Sequence, residues 1–100
     1  MNSLHKRIEK YIHLSREGFF DDKPLPKYSE LLFKELLIEG EIPRGKVMDI
    51  IHTKERTATS LIKKLIQMDY IESDTPKGVI RLKFNAHFAS YIFPELIPQK

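Results

Sequence analysis

The string Gly40-Glu41-Ile42-Pro43-Arg44-Gly45-Lys46 spells G-x-x-x-x-G-K, the opening of a loop that cradles phosphates with its backbone N–H groups. The next residue is Val47, where such a loop needs a Ser or Thr hydroxyl for Mg²⁺. Pro43 removes one of the donors, and the pattern before the string is helical rather than extended. Nucleotide binding is therefore not expected. His5, His13, His52 and His87 stand singly, with no i, i+4 pair and no Cys to complete a metal shell. No nucleophile elbow or triad context surrounds any Ser, and Asp21-Asp22 is read as part of a turn. The chain is expected to carry no catalytic residue, no metal and no cofactor.

One set of polar residues shares a chemistry. Lys54, Arg56, Thr59, Ser60, Lys63 and Lys64 lie close together, and Lys77, Arg81 and Lys83 follow. Lys and Arg neutralise phosphate, while Thr and Ser hydroxyls bond to phosphates or base edges. Their placement matches the charge of the chain. Residues 1–50 hold nine basic and nine acidic side chains, whereas residues 51–100 hold eight and five, so the formal +3 belongs to the second half. A sequence this basic is compatible with a nucleic-acid partner, although charge alone does not select one.

The elements that must position these residues follow from periodicity. Residues 2–17 place Leu4, Ile8, Tyr11 and Ile12 on one helical face, and Gly18 ends that helix. Pro24 and Pro26 then impose a loop. Residues 28–39 are apolar over most of a helix circumference, through Leu31, Leu32, Phe33, Leu36, Leu37 and Ile38, as in the buried central helix of a small domain. Gly40 is a natural C-cap, and Glu41-Ile42-Pro43 forms a short extended link. Residues 44–51 make a short helix with Val47, Ile50 and Ile51 inward, and His52-Thr53 is a tight junction. Residues 54–68 are the cleanest helical pattern, with Ala58, Leu61, Ile62, Leu65 and Met68 inward.

The period then changes to two. Residues 70–74 and 79–84 read as strands joined by Thr75-Pro76-Lys77-Gly78, with Ile80, Leu82 and Phe84 on a core face and Arg81 and Lys83 on the other. Asn85 is a candidate N-cap for a last short helix through Phe88, Tyr91 and Ile92, which Pro94 and Pro98 confine. The predicted class is α+β, mainly α. Helix, short helix, tight turn, longer helix and hairpin is the order of a winged helix-turn-helix, here with an additional N-terminal helix. Residues 1–26 are expected to form a connector helix and loop. Residues 27–100 would form the winged helix-turn-helix domain with a C-terminal extension.

The runs Gly40-Glu41-Ile42-Pro43-Arg44-Gly45, Glu55-Arg56-Thr57-Ala58, Ser73-Asp74-Thr75-Pro76-Lys77-Gly78 and Phe93-Pro94-Glu95-Leu96 occur in this order. Over residues 28–97 the chain resembles the C-terminal winged-helix region of bacterial Fic-family proteins. The catalytic module of that family carries a His-Pro-Phe motif and a Gly-Asn-Gly-Arg loop and transfers AMP to protein hydroxyls. Neither motif is present here, since no His precedes a Pro. The resemblance implies a non-catalytic accessory domain whose parent protein is an AMP transferase, with the N-terminal helix as connector. One departure is Lys54, which stands where the family has a capping Ser or Thr; Thr53 is one position early for that role.

Two functions follow as expectations. The first is double-stranded DNA binding, with Lys54, Arg56, Thr59, Ser60, Lys63 and Lys64 on the groove helix and Lys77, Arg81 and Lys83 on the wing. The second is a regulatory protein-interaction module that docks on the Fic catalytic part, on a target protein or on a second copy as a homodimer. Its surface would comprise Leu4, Ile8, Tyr11 and Ile12 with Phe88, Tyr91, Phe93 and Leu96. The same polar side chains also fit the ordinary solvated face of a helix, and Glu55, Glu72 and Asp74 oppose phosphate. No apolar run is long enough for a membrane span, Met1-Asn2-Ser3-Leu4-His5 lacks a signal-peptide pattern, and the absence of Cys suits a reducing cytoplasm.

Overall fold

In the computed structural model, which describes residues 3–20, 23–75 and 77–94, the apolar spacing of the first segment becomes helix α1, Ser3–Arg16. Its end shows why the chain turns there. Gly18 adopts φ +85°, its N–H donates to Ser15 O, and the Phe19 N–H donates to Leu14 O. This paired capping needs a left-handed residue, which glycine supplies without a Cβ clash. The Pro-containing loop is strapped back onto the helix at Leu25. The Leu25 N–H donates to Ser15 Oγ and its carbonyl accepts from Arg16, which buries the side chain. Expectations for Asn2, Asp21, Asp22, Pro76, Glu95, Leu96 and Pro98 lie outside the described residues.

Helix α2, Ser29–Glu39, starts one residue later than its pattern suggests because Tyr28 is left-handed, at φ +75°. The helix is not buried all round. Leu32, Phe33 and Leu36 are buried, but Leu31 is 45% and Ile38 62% exposed. Helix α1, the next helix and the hairpin cover one side of α2, so its apolar circumference exceeds the surface its neighbours can cover. Lys34 reaches from α2 to Glu9 of α1 and also lies 3.1 Å from Glu30.

The short helix is a 3₁₀ turn, Arg44–Lys46, running into α3, Val47–Ile50. His52, at φ +55°, reverses the chain into α4, Glu55–Gln67. Ala58, Leu61, Ile62 and Leu65 form the buried stripe of α4, as the periodicity requires, while Met68 is only partly buried. Helix α4 ends on Asp69, at φ +69°, with the Asp69 N–H donating to Ile66 O and the Tyr70 N–H to Leu65 O. Asp is one of the few side chains that tolerate this conformation.

The strands are shorter than their alternation suggests. β1, Ile71–Glu72, pairs antiparallel with β2, Arg81–Leu82, through Ile71↔Leu82 and Glu72↔Arg81. Ile80 pairs on the other side with Ile42, exchanging both backbone hydrogen bonds at 2.8 and 2.9 Å. The Lys83 N–H still donates to Tyr70 O at 2.9 Å, and beyond it the chain leaves the sheet. Phe84 is thus 38% exposed rather than in the core, stacked on Phe88 at 5.3 Å. Asn85 caps α5, Ala86–Ile92, by accepting from the Phe88 N–H at 2.8 Å.

Described residues therefore form a mainly helical α+β fold of five helices and one small antiparallel hairpin. One core joins Ile8, Tyr11 and Ile12 of α1 to Phe33, Leu65, Ile71, Ile80 and Phe88. Each such fully buried aliphatic or aromatic side chain contributes about 1.5–3 kcal/mol. Helix α1 packs on α2 and α5, and Arg7 donates to the Ile92 carbonyl at the end of α5. Among the described residues no helix is long and apolar enough to cross a membrane.

Candidate nucleic-acid interface

Burial of Ala58, Leu61, Ile62 and Leu65 forces the opposite side of α4 into solvent. At roughly 100° per residue, Arg56, Lys63 and Gln67 run down the middle of that side, with Thr59 and Ser60 flanking them. All five are exposed. Lys64 lies at the edge, where it shares a depression with Lys23, Pro24, Pro26 and Met68. Lys54 occupies the N-cap position in an extended conformation and its side chain makes no capping bond, as expected for an ammonium group.

A groove of about 590 Å³ separates α4 from the hairpin loop. Thr59, Ile62 and Lys63 line one side, Gly45 and Met48 the floor towards α3, and Arg44 and Lys77 the loop side. The groove thus brings Thr59, Lys63 and Lys77 together. A shallower depression on α4 itself joins Arg56, Thr59, Ser60 and Lys63. Glu55 borders both and is the carboxylate of this surface.

Two of the nine residues selected from the sequence are engaged elsewhere. Arg81 lies 2.6 Å from Asp74 Oδ1, 3.5 Å from Glu72 Oε2 and 3.9 Å from Glu41 Oε2. The hydrogen bond and charge of Asp74, followed by Glu72 and Glu41, raise its pKa above the ordinary arginine value. Lys83 lies 2.7 Å from Asp69 Oδ1, which raises its pKa in the same sense. By contrast, Lys54, Arg56, Lys63, Lys64 and Lys77 form an ion pair with none of the described residues.

The apolar surface considered for protein docking is mostly interior. Ile8, Tyr11, Ile12 and Phe88 are buried, and Leu4, Tyr91 and Phe93 are partly buried against the same core. Leu96 lies outside the described residues. Two of the four histidines are engaged away from this surface: His87 Nδ1 is 2.8 Å from the Tyr11 hydroxyl, and His13 Nε2 is 2.8 Å from Glu17 Oε2 on the surface of α1.

Gln67, which the helical period already turns outward, joins the selected residues on the exposed side of α4. Two contributors escape the sequence reading. Met48 carries no signal beyond its position on α3. Arg44 sits inside the phosphate-loop look-alike, yet its guanidinium donates to the carbonyls of Gly78 and Thr75, at 3.1 and 3.2 Å. Nothing local to residue 44 announces that contact. No protein-family model, curated protein or solved structure matches the chain.

Proposed function

We propose that the chain is a winged helix-turn-helix module that binds double-stranded DNA, with α3 and α4 as the helix-turn-helix pair and the hairpin as the wing. The observation that carries this reading is the set of uncompensated cations. Lys63 and Lys77 face one groove, and Arg56 and Lys63 the shallower depression beside it. Glu55 is the carboxylate that borders both, and Lys54 and Lys64 lie at the start and the edge of the same helix. Lys34, Arg81 and Lys83 are neutralised by acidic neighbours. Lys6, Lys10, Lys23, Lys27 and Lys46 also form no ion pair with a described residue, but it is on α4 and the facing loop that unpaired cations stand beside exposed Thr59 and Ser60. Exposed Arg56, Thr59, Ser60, Lys63 and Gln67 supply both phosphate neutralisers and base-edge hydrogen bonders on one helix. The pairing of Ile42 with Ile80 supports the winged arrangement, because it gives the hairpin a third extended segment directly ahead of α3.

On this reading the module is non-catalytic and regulatory. Its resemblance over residues 28–97 makes it an accessory domain that acts beside a Fic catalytic module in the cytoplasm. A second reading, docking on protein, draws on the outer side of α2, where Leu31 and Ile38 are exposed.

The test is a titration of the full chain with a mixed-sequence duplex across a salt series. DNA binding predicts that log K falls by about 0.9 for each neutralised phosphate per decade of salt. Arg56→Ala and Lys63→Ala should each weaken binding and reduce that slope by about one. Arg81→Ala and Lys83→Ala should cost less, because their charges are already spent on carboxylates. Absence of binding at low salt, or binding indifferent to salt, overturns the proposal.

A further inference from the structure

Among the described residues, one side chain from outside the hairpin holds the loop that carries Lys77. Within the hairpin, Ser73 Oγ lies 2.8 Å from both Thr75 O and Val79 O, and its single proton serves one of them at a time. The Gly78 N–H donates to Thr75 O at 3.2 Å. Arg81 grips Asp74, again from inside the hairpin. Among the described residues, the side chain that reaches this loop from outside is Arg44, at the start of the 3₁₀ turn that leads into α3. Its Nε donates to Gly78 O and its Nη2 to Thr75 O.

These two donors lie on one edge of a planar group, so a single rigid fork sets the position of both carbonyls. The same residue lines the groove in which Lys63 of α4 and Lys77 of the loop stand. The strands beneath the loop pair at Ile71↔Leu82 and Glu72↔Arg81, and Ile80 is held to Ile42 on the outer edge, so the sheet's pairing stops at Ile80, two residues short of Gly78.

We infer that Arg44 is a positioning residue for DNA: by holding Thr75 and Gly78 it sets the width of the groove between α4 and the wing, so that Lys63 and Lys77 flank one sugar–phosphate strand. This rests on the DNA-binding reading above. Arg44 acts through Lys77, and its charge is not what the strand requires of it.

The experiment compares Arg44→Lys, Lys77→Ala and the double variant in the full chain. Arg44→Lys keeps the positive charge but cannot span both carbonyls. It should lower duplex affinity to the level of Lys77→Ala and reduce the salt slope by about one. Adding Lys77→Ala to Arg44→Lys should then change affinity by less than about twofold, because both substitutions remove the same contact. Wild-type affinity in Arg44→Lys, or losses that multiply in the double variant, overturns the inference.

Amide hydrogen exchange gives a readout without DNA. Arg44→Lys should speed exchange at Gly78, whose N–H donates to Thr75 O, while the amides of α4 keep their wild-type rates. Unchanged exchange in the loop overturns the tether itself, and acceleration throughout the chain overturns the assignment by showing general destabilisation. If the wild-type chain binds no duplex, the DNA reading fails and the role at the strand fails with it. The exchange data then report separately on whether Arg44 holds the loop.

Discussion

The hydroxyl of Tyr11 lies 2.6 Å from the hydroxyl of Tyr70, a hydrogen bond between the N-terminal helix and the residue that enters the hairpin. Tyr11 is fully buried and Tyr70 nearly so, and Tyr11 also meets His87 Nδ1 of α5 at 2.8 Å. The Tyr11 ring contacts Phe20, Phe88 and Tyr91 as well. Three distant parts of the chain thus converge on one phenol. Its ring fills the core, and its hydroxyl fixes how the parts are oriented.

Tyr11→Phe and Tyr70→Phe should each lower unfolding free energy by about 1–2 kcal/mol, the range for removing one partner of a buried hydrogen bond. The double variant should cost less than the two losses together. Each deletion removes the same Tyr11–Tyr70 bond, so the double variant loses it only once. Urea denaturation of the four proteins measures this directly. Strict additivity would show that the two hydroxyls are energetically independent despite their distance.

The ion pair between α1 and α2 predicts a pH dependence. Lys34 donates to Glu9, and that bond and charge hold the Glu9 carboxyl below the ordinary glutamate pKa. As pH drops, the unfolded chain takes up this proton before the folded one does, so stability falls with pH. The contribution is whole above the ordinary glutamate value, and it is lost as pH falls through the depressed folded value. Glu9→Gln should therefore melt lower than wild type at neutral pH and show a flatter acid limb between about pH 5 and pH 3. Melting curves across that range would refute the linkage if the two proteins kept a constant difference.

Helix α4 is legible in the sequence because Ala58, Leu61, Ile62 and Leu65 repeat at helical spacing, and the opposite face follows by geometry. Gly18 and Asn85 are legible for the same local reason, since each acts within a few residues of itself. What the sequence conceals is non-local. Glu41-Ile42-Pro43 is too short to show a period of two, so the pairing of Ile42 with Ile80 leaves no mark. Arg81 looks like a free cation until the hairpin register sets Asp74 and Glu72 beside it, with Glu41 added from forty residues away. Arg44 finds its partners at Thr75 and Gly78 through carbonyl oxygens, which every residue type possesses. The left-handed Tyr28 is likewise set by how α2 meets its neighbours, since a tyrosine side chain does not favour φ > 0.

Lys54 sets stability against binding. It holds the N-cap position of α4 at φ −83°, ψ 160°, the extended geometry from which a Ser hydroxyl bonds the N–H groups of the first turn. Lysine has no acceptor, so those donors gain nothing from its side chain. Lys54→Ser should raise stability by about 1 kcal/mol, or about 4–8 °C in Tm for a domain of this size. If Lys54 neutralises a phosphate, the same substitution should weaken duplex binding and lower the salt slope by about one. The two effects have opposite signs, so loss of folding cannot imitate loss of contact. A melt and a salt-series titration on one preparation decide the matter: higher Tm with weaker binding supports the cation's role at DNA, and higher Tm with unchanged binding removes Lys54 from the interface.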